Sequence, residues 1–389
     1  MSRVVMRAMT QRPKPTQKLP ATGRVTLLDV RQTAERFHHR GRGAISNQSG
    51  RYEPTTNEAF DDGWNTIEDE AERLNTILTA ETAKTIITHN QTPDISFDRS
   101  INPYRGCEHG CIYCFARPSH AWLGLSAGLD FESRLTYKSN APALLEKALA
   151  NPRYRPKPIA LGVNTDAYQP VERRTGLTRD LLTILARHNH PVSLLTKSSL
   201  IERDIDILEP MARKGLVRVG ISITTLDKTL ARKLEPRAAT PTKRLATIKA
   251  LSDAKIKTAI MAAPIIPALN DHEIEALLSA AKSAGATSAG YVLLRLPHEL
   301  KDLFHEWLAQ HYPDRAARII NQLREMRGGS DYDARWFERG RGKGVYAQMI
   351  AKRFARASRK LDLNRPRPQL REDLFIGDPE TQKQLGFGF

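Results

Sequence analysis

Short apolar runs alternate with longer amphipathic segments along the chain from about Asp94 onward. Short apolar runs bounded by turn-forming residues are typical of buried strands. We predict six strands, at Ile95 to Tyr104, Ile159 to Val163, Val192 to Leu195, Val217 to Ile223, Thr258 to Ala263 and Gly290 to Leu294. Helix start signals lie between them, at Asn140 before Pro142, at Thr178, at Thr240 before Pro241, and at Asn270 with Glu273 as a capping box.

Six strand-helix units in sequence predict an α/β fold with a parallel sheet and helices on its outer face. A closed eight-unit barrel would need two more units, which the remaining chain does not supply. Polar residues follow every predicted strand, for example Asn164 to Gln169 after the second strand, Thr196 to Ser199 after the third and Arg295 after the sixth. Because sites in parallel α/β sheets lie at the carboxyl ends of the strands, we expect these residues to share one site.

Charge divides the chain into a nearly neutral centre and basic flanks. The net charge is +17, and residues 1–50 carry ten Lys or Arg against two Asp or Glu, while residues 315–371 carry sixteen against five. Such flanks indicate a polyanionic partner, most simply nucleic acid, although a basic surface that only keeps the protein in solution is the alternative. We divide the chain into a basic, partly disordered extension (1–92), a core (93–312) and a basic helical extension and tail (313–389).

The two extensions have different patterns. Residues 1–50 contain scattered Pro, Gly, Ser and Arg, which indicates disorder or an arm laid over the core, and Gly41 to Asn47 reads as a flexible turn. Val345 to Leu361 reads as a basic amphipathic helix. Its predicted apolar face comprises Val345, Met349, Phe354 and Leu361, and its basic residues are Lys352, Arg353, Arg356, Arg359 and Lys360. This helix would dock on the core, with its charge facing either solvent or a nucleic-acid backbone.

The chain has no apolar run long enough for a membrane span, and residues 1–20 are basic without an apolar signal segment. We therefore expect a cytoplasmic protein with no membrane partner.

All three cysteines fall within eight residues, Cys107-Glu-His-Gly-Cys111-Ile-Tyr-Cys114. Cysteine thiolates select soft metal centres, namely iron-sulfur clusters, zinc or Cu(I). A structural zinc ion would need His109 as a fourth ligand from the same short loop, which is sterically strained. A disulfide disagrees with the odd cysteine count and with a reducing compartment. The remaining reading is a 4Fe-4S cube held at three corners, with its fourth iron open to a non-protein ligand.

The spacing Cys-x3-Cys-x2-Cys, with the aromatic Tyr113 before the last cysteine, resembles the signature of the radical S-adenosylmethionine (radical SAM) superfamily. The resemblance implies a partial (β/α)6 TIM-type barrel and a 4Fe-4S cluster. It also implies S-adenosyl-L-methionine (SAM), which is bound at the open iron and cleaved reductively to a 5'-deoxyadenosyl radical, and a reductant such as flavodoxin or ferredoxin. The cofactors would supply the radical chemistry, and the protein would supply position and shelter.

Five further segments resemble the branch of this superfamily that contains spore photoproduct lyase and its uncharacterised, photolyase-like relatives. They are Asn102 to Cys107, Thr165 to Glu172, Leu195 to Ser198, Ser222 to Asp227 and Glu235 to Arg237. The resemblance makes Cys107, Cys111 and Cys114 the cluster ligands and Tyr113 a backbone contact to the adenine. Lys197 and Ser222 would lie near the methionine carboxylate and the ribose, with an ordinary solvated loop lysine as the alternative for Lys197.

Four other positions in these segments keep alternative readings. Tyr168 and Asp166 are candidate substrate or hydrogen-transfer residues, with a packed tyrosine and a turn-capping aspartate as the alternatives. Glu235 and Arg237 pair with each other or reach the ribose. His109 is expected to shape the loop rather than bind the metal.

One departure from the lyase pattern affects the chemistry. Spore photoproduct lyase relays a hydrogen atom through an additional cysteine, and this sequence has no cysteine outside the triplet. Identical thymine-dimer repair is therefore not expected, and one cluster is. We expect a radical SAM enzyme with an unknown substrate, for which nucleic acid is favoured. The alternative is a nucleic-acid-binding protein whose metal centre is a structural zinc ion or a redox-sensing cluster.

Overall fold

Seven strands form the main sheet of the computed structural model, which describes residues 41–52, 74–366 and 369–377. The strands are β2 (Ile87–His89), β3 (Arg99–Ile101), β6 (Ile159–Leu161), β7 (Val192–Thr196), β8 (Val217–Ser222), β9 (Thr258–Ile265) and β10 (Ser288–Leu293). Their order across the sheet is β10-β9-β8-β7-β6-β3-β2. All neighbouring strands are parallel except β2, which pairs antiparallel with β3.

A second sheet of three strands lies beside the first, in the order β1-β5-β4. Its strands are β1 (Ile77–Glu81), β4 (Tyr104–Arg105) and β5 (Arg134–Lys138). Strands β1 and β5 are parallel, and β4 pairs antiparallel with β5. Strand β4 leads directly into the cysteine segment, so this small sheet fixes where that segment begins.

Helices follow the parallel strands and cover the outer face of the sheet. The eleven α-helices within the described ranges are α1 (Leu129–Ser133), α2 (Ala141–Leu149), α3 (Glu172–Thr175), α4 (Leu177–Arg187), α5 (Ile205–Arg213), α6 (Lys228–Leu234), α7 (Pro241–Asp253), α8 (Ile274–Ser283), α9 (Leu300–His311), α10 (Pro313–Glu325) and α11 (Gly344–Lys360). Strand β6 is buried along its whole length, as expected for a sheet that is covered on both faces.

The partial (β/α)6 architecture is confirmed, because the six predicted strands form one parallel sheet whose edge strands do not pair with each other. The first predicted strand was too long. It ends at Ile101, and Tyr104 and Arg105 pair with the other sheet. The break falls at Asn102-Pro103, where proline lacks the N–H that a ladder needs.

The helix start signals had mixed outcomes. Thr240 caps α7 as predicted, since its side chain accepts a hydrogen bond from the Lys243 N–H. The capping box at Asn270 and Glu273 was wrong. The Asn270 amide accepts from the Ile266 N–H at 2.7 Å, and the Glu273 carboxylate accepts from the Leu226 N–H and the Thr225 hydroxyl. Both side chains therefore connect loops at the carboxyl ends of β8 and β9.

The open side of the partial barrel is bridged by residues 336–341, which we call the seam segment. The Leu293 N–H of the edge strand β10 donates to the Gly340 carbonyl oxygen at 3.0 Å. On the opposite edge, Arg339 Nε donates at 2.7 Å to the carboxylate of Asp94, which lies between β2 and β3. The arginine holds the pKa of Asp94 below its usual value. A segment of the C-terminal extension thus connects the two edges of the core sheet.

The predicted C-terminal helix is confirmed as α11, but its predicted apolar face was only half right, because Phe354 is buried and Leu361 packs on the core while Val345 and Met349 are exposed. Val345 is 79% exposed and Met349 is 38% exposed. The buried residues are Ala347, Ile350, Phe354, Ala357 and Ser358. Small alanines let α11 pack closely on the core, whereas the sequence reading was guided by the larger side chains. Among the described residues, no helix is long and apolar enough to cross a membrane. The division of the chain at residues 92 and 312 stays a prediction, as does the cytoplasmic location.

Candidate functional site

The cysteine segment lies at the carboxyl end of the parallel sheet and bends sharply at Gly110. The φ angle of Gly110 is +66°, and a Cβ atom there would lie 2.7 Å from a carboxylate oxygen of Glu132. Only glycine combines this backbone conformation with such a close approach. Two backbone hydrogen bonds fix the loop from outside: Cys107 N–H donates to the Phe131 carbonyl and Ile112 N–H donates to the Leu234 carbonyl. The loop is therefore preformed by contacts far away in the sequence.

The three cysteines converge on one cavity of about 220 Å³, which we call the cysteine cavity. Its lining includes all but one of the predicted site residues: Cys107, Cys111, Tyr113, Cys114, Lys197 and Ser222. Residues from the ends of several strands complete it, among them Asn164, Asp166, Pro264 and Arg295. The structure thus brings together the strand-end polar residues, as expected for parallel α/β sheets.

The electrostatics of the thiols fit a cationic metal centre. Burial raises the pKa of Cys111 to about 12. Burial, the Asp166 carboxylate and the other two cysteines raise the pKa of Cys107 well above its usual value. Three thiolates gathered in a buried pocket repel one another, so their ionised form needs a compensating positive charge. A metal centre supplies that charge, because a coordinating thiol is deprotonated outright.

The three cysteines lie together at the cysteine cavity and can hold a soft metal centre. A zinc ion takes four ligands at about 2.0–2.3 Å from one centre, whereas an iron-sulfur cluster takes cysteine thiolates as its protein ligands. The cavity offers three cysteines, which fit a cluster that is held at three corners.

Tyr113 is anchored by a buried charged network behind the cavity. Its hydroxyl donates to the Glu235 carboxylate and lies 3.0 Å from the Thr224 hydroxyl. Arg244, which is 1% exposed, pairs with the same carboxylate and donates to the Ser222 carbonyl at 2.8 Å. Burial alone would raise the pKa of Glu235, but Arg244 and Lys197 lower it to about 2. Glu235 is therefore a carboxylate at neutral pH and fixes the tyrosine ring.

Lys197 is one of two cationic side chains that line the cysteine cavity, together with Arg295. Its Nζ lies 5.8 Å from the centroid of the Tyr113 ring. Burial would lower the pKa of Lys197, but the negative charges of Cys111 and Glu235 outweigh that effect and raise it. The ammonium group is thus available to a carboxylate that enters the cavity.

Asp166 and His109 connect the cysteine loop to the strand ends. Asp166 accepts hydrogen bonds from the backbone N–H groups of Tyr168 and Lys197, at 2.9 Å and 2.8 Å, and from the Thr196 hydroxyl. His109 Nδ1 lies 3.3 Å from the same carboxylate. Burial would raise the pKa of Asp166, but His109 and these donors lower it to about 2. Asp166 therefore caps the turn through its carboxylate, and His109 helps to shape the cysteine loop.

Tyr168 lies outside the cysteine cavity. Its ring is 1% exposed within the hydrophobic core. Burial and the neighbouring Asp204 carboxylate raise the pKa of its hydroxyl well above the usual value. The packed-tyrosine reading describes this position. Ser222 does line the cavity, and its hydroxyl donates to the Ala263 carbonyl at 3.2 Å.

Glu235 and Arg237 do not form an ion pair with each other in this structure. Glu235 pairs with Arg244, whereas Arg237 pairs with Glu108 at 3.2 Å. Arg244 was missed in the sequence because nothing local distinguishes it from other helical arginines.

A second ion pair that the sequence did not reveal joins Arg117 and Glu132, which are both fully buried. Arg117 Nε donates to the Cys111 carbonyl at 2.9 Å, so this pair stabilises the backbone of the cysteine loop.

Residues 41–52, which we call the N-terminal strap, cross the cysteine loop. Residues 41–47 were predicted to be a flexible turn, and this was wrong, because Arg42, Ala44 and Ile45 are buried. The Glu132 carboxylate accepts hydrogen bonds from the N–H groups of Gly43 and Ala44, at 2.9 Å and 2.8 Å. Because Glu132 is fully buried, its carboxylate requires these hydrogen-bond donors. The two hydrogen bonds therefore hold the N-terminal strap in place.

Gly43→Ala should loosen the strap. A Cβ atom at this position would lie 1.8 Å from the Gly110 carbonyl oxygen, so the strap must move away from the cysteine loop. We expect the free energy of unfolding to fall by about 1–3 kcal/mol. The measurement is urea denaturation of the cluster-free protein. The matched control is Gly340→Ala, whose Cβ would meet its nearest atom at 3.8 Å and should change stability by less than about 0.5 kcal/mol. Equal effects in the two variants would contradict the assigned contact.

A sequence profile described as "Radical SAM superfamily" matches residues 101–281. An uncharacterised protein of Mycobacterium tuberculosis is 36% identical over 242 residues, which cover 61% of this chain and 70% of that protein. An uncharacterised protein of Methanocaldococcus jannaschii is 30% identical over 222 residues, which cover 57% of this chain and 79% of that protein. Both matches include most of the relative's length.

Solved structures of spore photoproduct lyase share the fold. The structure described as spore photoproduct lyase complexed with dinucleoside spore photoproduct matches with a TM-score of 0.53 and 15% sequence identity. The match covers 73% of this chain and 79% of that one. At this identity the likeness concerns the architecture, which agrees with the partial barrel described above.

Proposed function

The chain belongs to the radical SAM superfamily, and we propose that it is an enzyme that binds one 4Fe-4S cluster through Cys107, Cys111 and Cys114. The superfamily uses this cluster together with SAM, and the bound pair supplies reductive cleavage of SAM to a 5'-deoxyadenosyl radical. The observation that carries the proposal is the convergence of all three thiols with Tyr113, Lys197 and Ser222 on one cavity.

The residues around the thiols have distinct tasks in this proposal. Lys197 pairs with the carboxylate of SAM, because it lines the cysteine cavity beside Cys111 and carries a positive charge. Tyr113 positions the adenine through its backbone, and its side chain is fixed by Glu235. Ser222 lies near the ribose, at the wall of the cavity. Asp166 and His109 hold the loop at the strand ends and exclude water from the thiols.

For Tyr168 we propose a different task from the one expected on the sequence. It packs the turn after β6, and hydrogen transfer uses another group, because its ring is buried in the core and does not line the cysteine cavity. The three cysteines of these 389 residues all lie in the cluster loop, so a relay through a further thiol of this sequence is not available.

We propose a nucleic acid as the substrate. Phe115 is 44% exposed at the cavity, and the Arg295 guanidinium lies 5.0 Å from the centroid of its ring. Exposed aromatic rings next to arginines are platforms for stacking bases. The net charge of +17 favours a polyanion, and the solved lyase named above is described as complexed with dinucleoside spore photoproduct.

The proposal is tested by anaerobic reconstitution of the wild-type protein with iron and sulfide, followed by dithionite and SAM. We expect about four iron and four sulfide per chain and formation of 5'-deoxyadenosine, quantified by chromatography. Adding single-stranded DNA, duplex DNA or RNA should raise the rate of its formation if one of them is the substrate. Bound zinc without visible absorption would refute the enzyme and favour a structural metal centre. An intact cluster that never cleaves SAM would favour a redox sensor.

A further inference from the structure

A second cavity of about 310 Å³ shares His109 with the lining of the cysteine cavity. We call it the basic cavity. The polar residues that line it and enter the argument are His109, Arg173, Ser198, Ser199, Arg237 and Lys243. No acidic side chain is part of this lining. The cavity therefore presents positive charge and hydroxyl donors, which are the groups that recognise carboxylates and phosphates.

The positive charges of the basic cavity are largely available to a partner. Arg173 is exposed and forms no ion pair with another residue in the part of the chain that the structure describes. Lys243 pairs with Glu202 at 3.0 Å, but both side chains are partly exposed, and such pairs contribute little. Arg237 pairs with Glu108 at 3.2 Å. Lys243 also lies in the first turn of α7, whose N-terminus adds to the positive potential.

The basic cavity adjoins the loop that carries the cysteines. The Arg237 N–H donates to the His109 carbonyl at 3.3 Å, so the wall of the cavity is bonded directly to the loop. His109 lines both cavities, and its Nδ1 lies 3.3 Å from the carboxylate of Asp166, which lines the cysteine cavity. A molecule in the basic cavity would thus contact a residue of the cysteine loop itself.

We propose that the basic cavity is the docking site for an acidic one-electron carrier protein that reduces the cluster. This inference rests on the proposed function. One electron moves from the reduced carrier to the cluster, so the carrier is oxidised by one electron and the cluster is reduced by one. Carboxylates of the carrier contact Arg173, Lys243 and the serine hydroxyls, and complementary charge speeds the encounter.

A nucleic acid fits this cavity less well than a carrier protein. Base recognition relies on exposed aromatic rings, and the only aromatic residues in its lining are His109 and Tyr168, which are both buried. The strongly exposed aromatic residues among those described are Tyr52, Phe115, Trp122, Trp336 and Phe337, and none of them lines it. The basic cavity thus offers positive charge without stacking groups, next to the cysteine loop. This combination suits a protein that docks there to deliver an electron.

The test reverses the charge of two exposed residues in the variant Arg173→Glu/Lys243→Glu. Neither residue lines the cysteine cavity, and a glutamate near the N-terminus of α7 is compatible with the helix dipole. The control, Lys352→Glu/Arg356→Glu, makes the same charge change on the exposed side of α11. Reconstituted proteins are mixed anaerobically with reduced flavodoxin or with dithionite, and the loss of cluster absorbance is followed by stopped flow.

We expect the cavity variant to be reduced by flavodoxin roughly 10- to 100-fold more slowly than wild type at low salt. Its reduction by dithionite should be unchanged, because that reductant needs no docking site. The control should behave as wild type with both reductants. The difference between cavity variant and wild type should shrink at high salt, since the attraction is screened.

Several results would overturn the docking site. Unchanged reduction by flavodoxin would do so, and so would an equal loss in the α11 control. Faster reduction would also do so, because the added negative charge should repel an acidic carrier. Loss of oligonucleotide binding with normal flavodoxin reduction would assign the cavity to nucleic acid. Failure of wild type to assemble a cluster or cleave SAM with dithionite would instead refute the proposed function, and the docking site with it.

Discussion

Cys111→Ala should abolish formation of 5'-deoxyadenosine and reduce cluster content to background. The thiol of Cys111 is one of three that point into the cysteine cavity, and a cluster held at three corners has no spare protein ligand in this sequence. The carbonyl of the same residue accepts from Arg117, and alanine preserves this backbone contact. The loss should therefore come from the missing ligand rather than from a disordered loop. Iron and sulfide analysis and chromatography of the nucleoside provide the measurements.

A matched control separates loss of the ligand from general damage. Ser358→Ala removes one heavy atom from a buried side chain of α11, whose hydroxyl has no hydrogen-bond partner among the described residues. It should retain wild-type cluster content and SAM cleavage. Circular dichroism of the cluster-free proteins should show the same fold in both variants. If Cys111→Ala still formed the nucleoside at the wild-type rate, Cys111 would not be a cluster ligand.

The parts of the structure that the sequence predicted well are those specified by local pattern. Strands β6 to β10 were found because each is a short apolar run between turn residues, and burial on both faces makes such runs continuous. The cysteine triplet was found because its ligands lie within eight residues. The extra length assigned to the first strand shows the limit of this reading, because Pro103 interrupts a run that otherwise looks continuous.

The parts that were missed depend on partners far away in the sequence. The N-terminal strap reads as a flexible turn, yet Gly43 packs against Gly110, and its N–H binds Glu132, 89 residues away. Strands β1 and β5 pair across more than fifty residues and carry no strong local signal. Arg244 and Arg117 look like ordinary surface arginines until the fold brings a buried carboxylate to each. Tertiary contacts, not local preference, determine these positions.

Glu235→Leu and Arg244→Leu should each lower the free energy of unfolding by about 3–5 kcal/mol, because each leaves a buried charge without its partner. The two side chains are 3% and 1% exposed. Glu235→Leu also removes the acceptor of the Tyr113 and Thr224 hydroxyls. The double variant Glu235→Leu/Arg244→Leu should lose clearly less than the sum of the single variants, since neither member of the pair is left as a buried charge without the other. Urea denaturation of the cluster-free proteins measures all three values.

The exposed pair Lys249 and Asp253 is the control for this cycle, since its side chains are 67% and 64% exposed. Alanine at both positions should change stability by less than about 1 kcal/mol.

The pH dependence of the free energy of unfolding gives a second check on Glu235. Its pKa of about 2 in the folded protein lies below the ordinary value of about 4.3, so its stabilising contribution is complete above that ordinary value and is lost as the pH falls toward 2. The gap between wild type and Glu235→Leu should therefore persist at pH 7 and narrow below about pH 4. A gap no larger than that of the exposed pair, or one that widens in acid, would show that Glu235 is not the buried carboxylate that fixes Tyr113 behind the cysteine cavity.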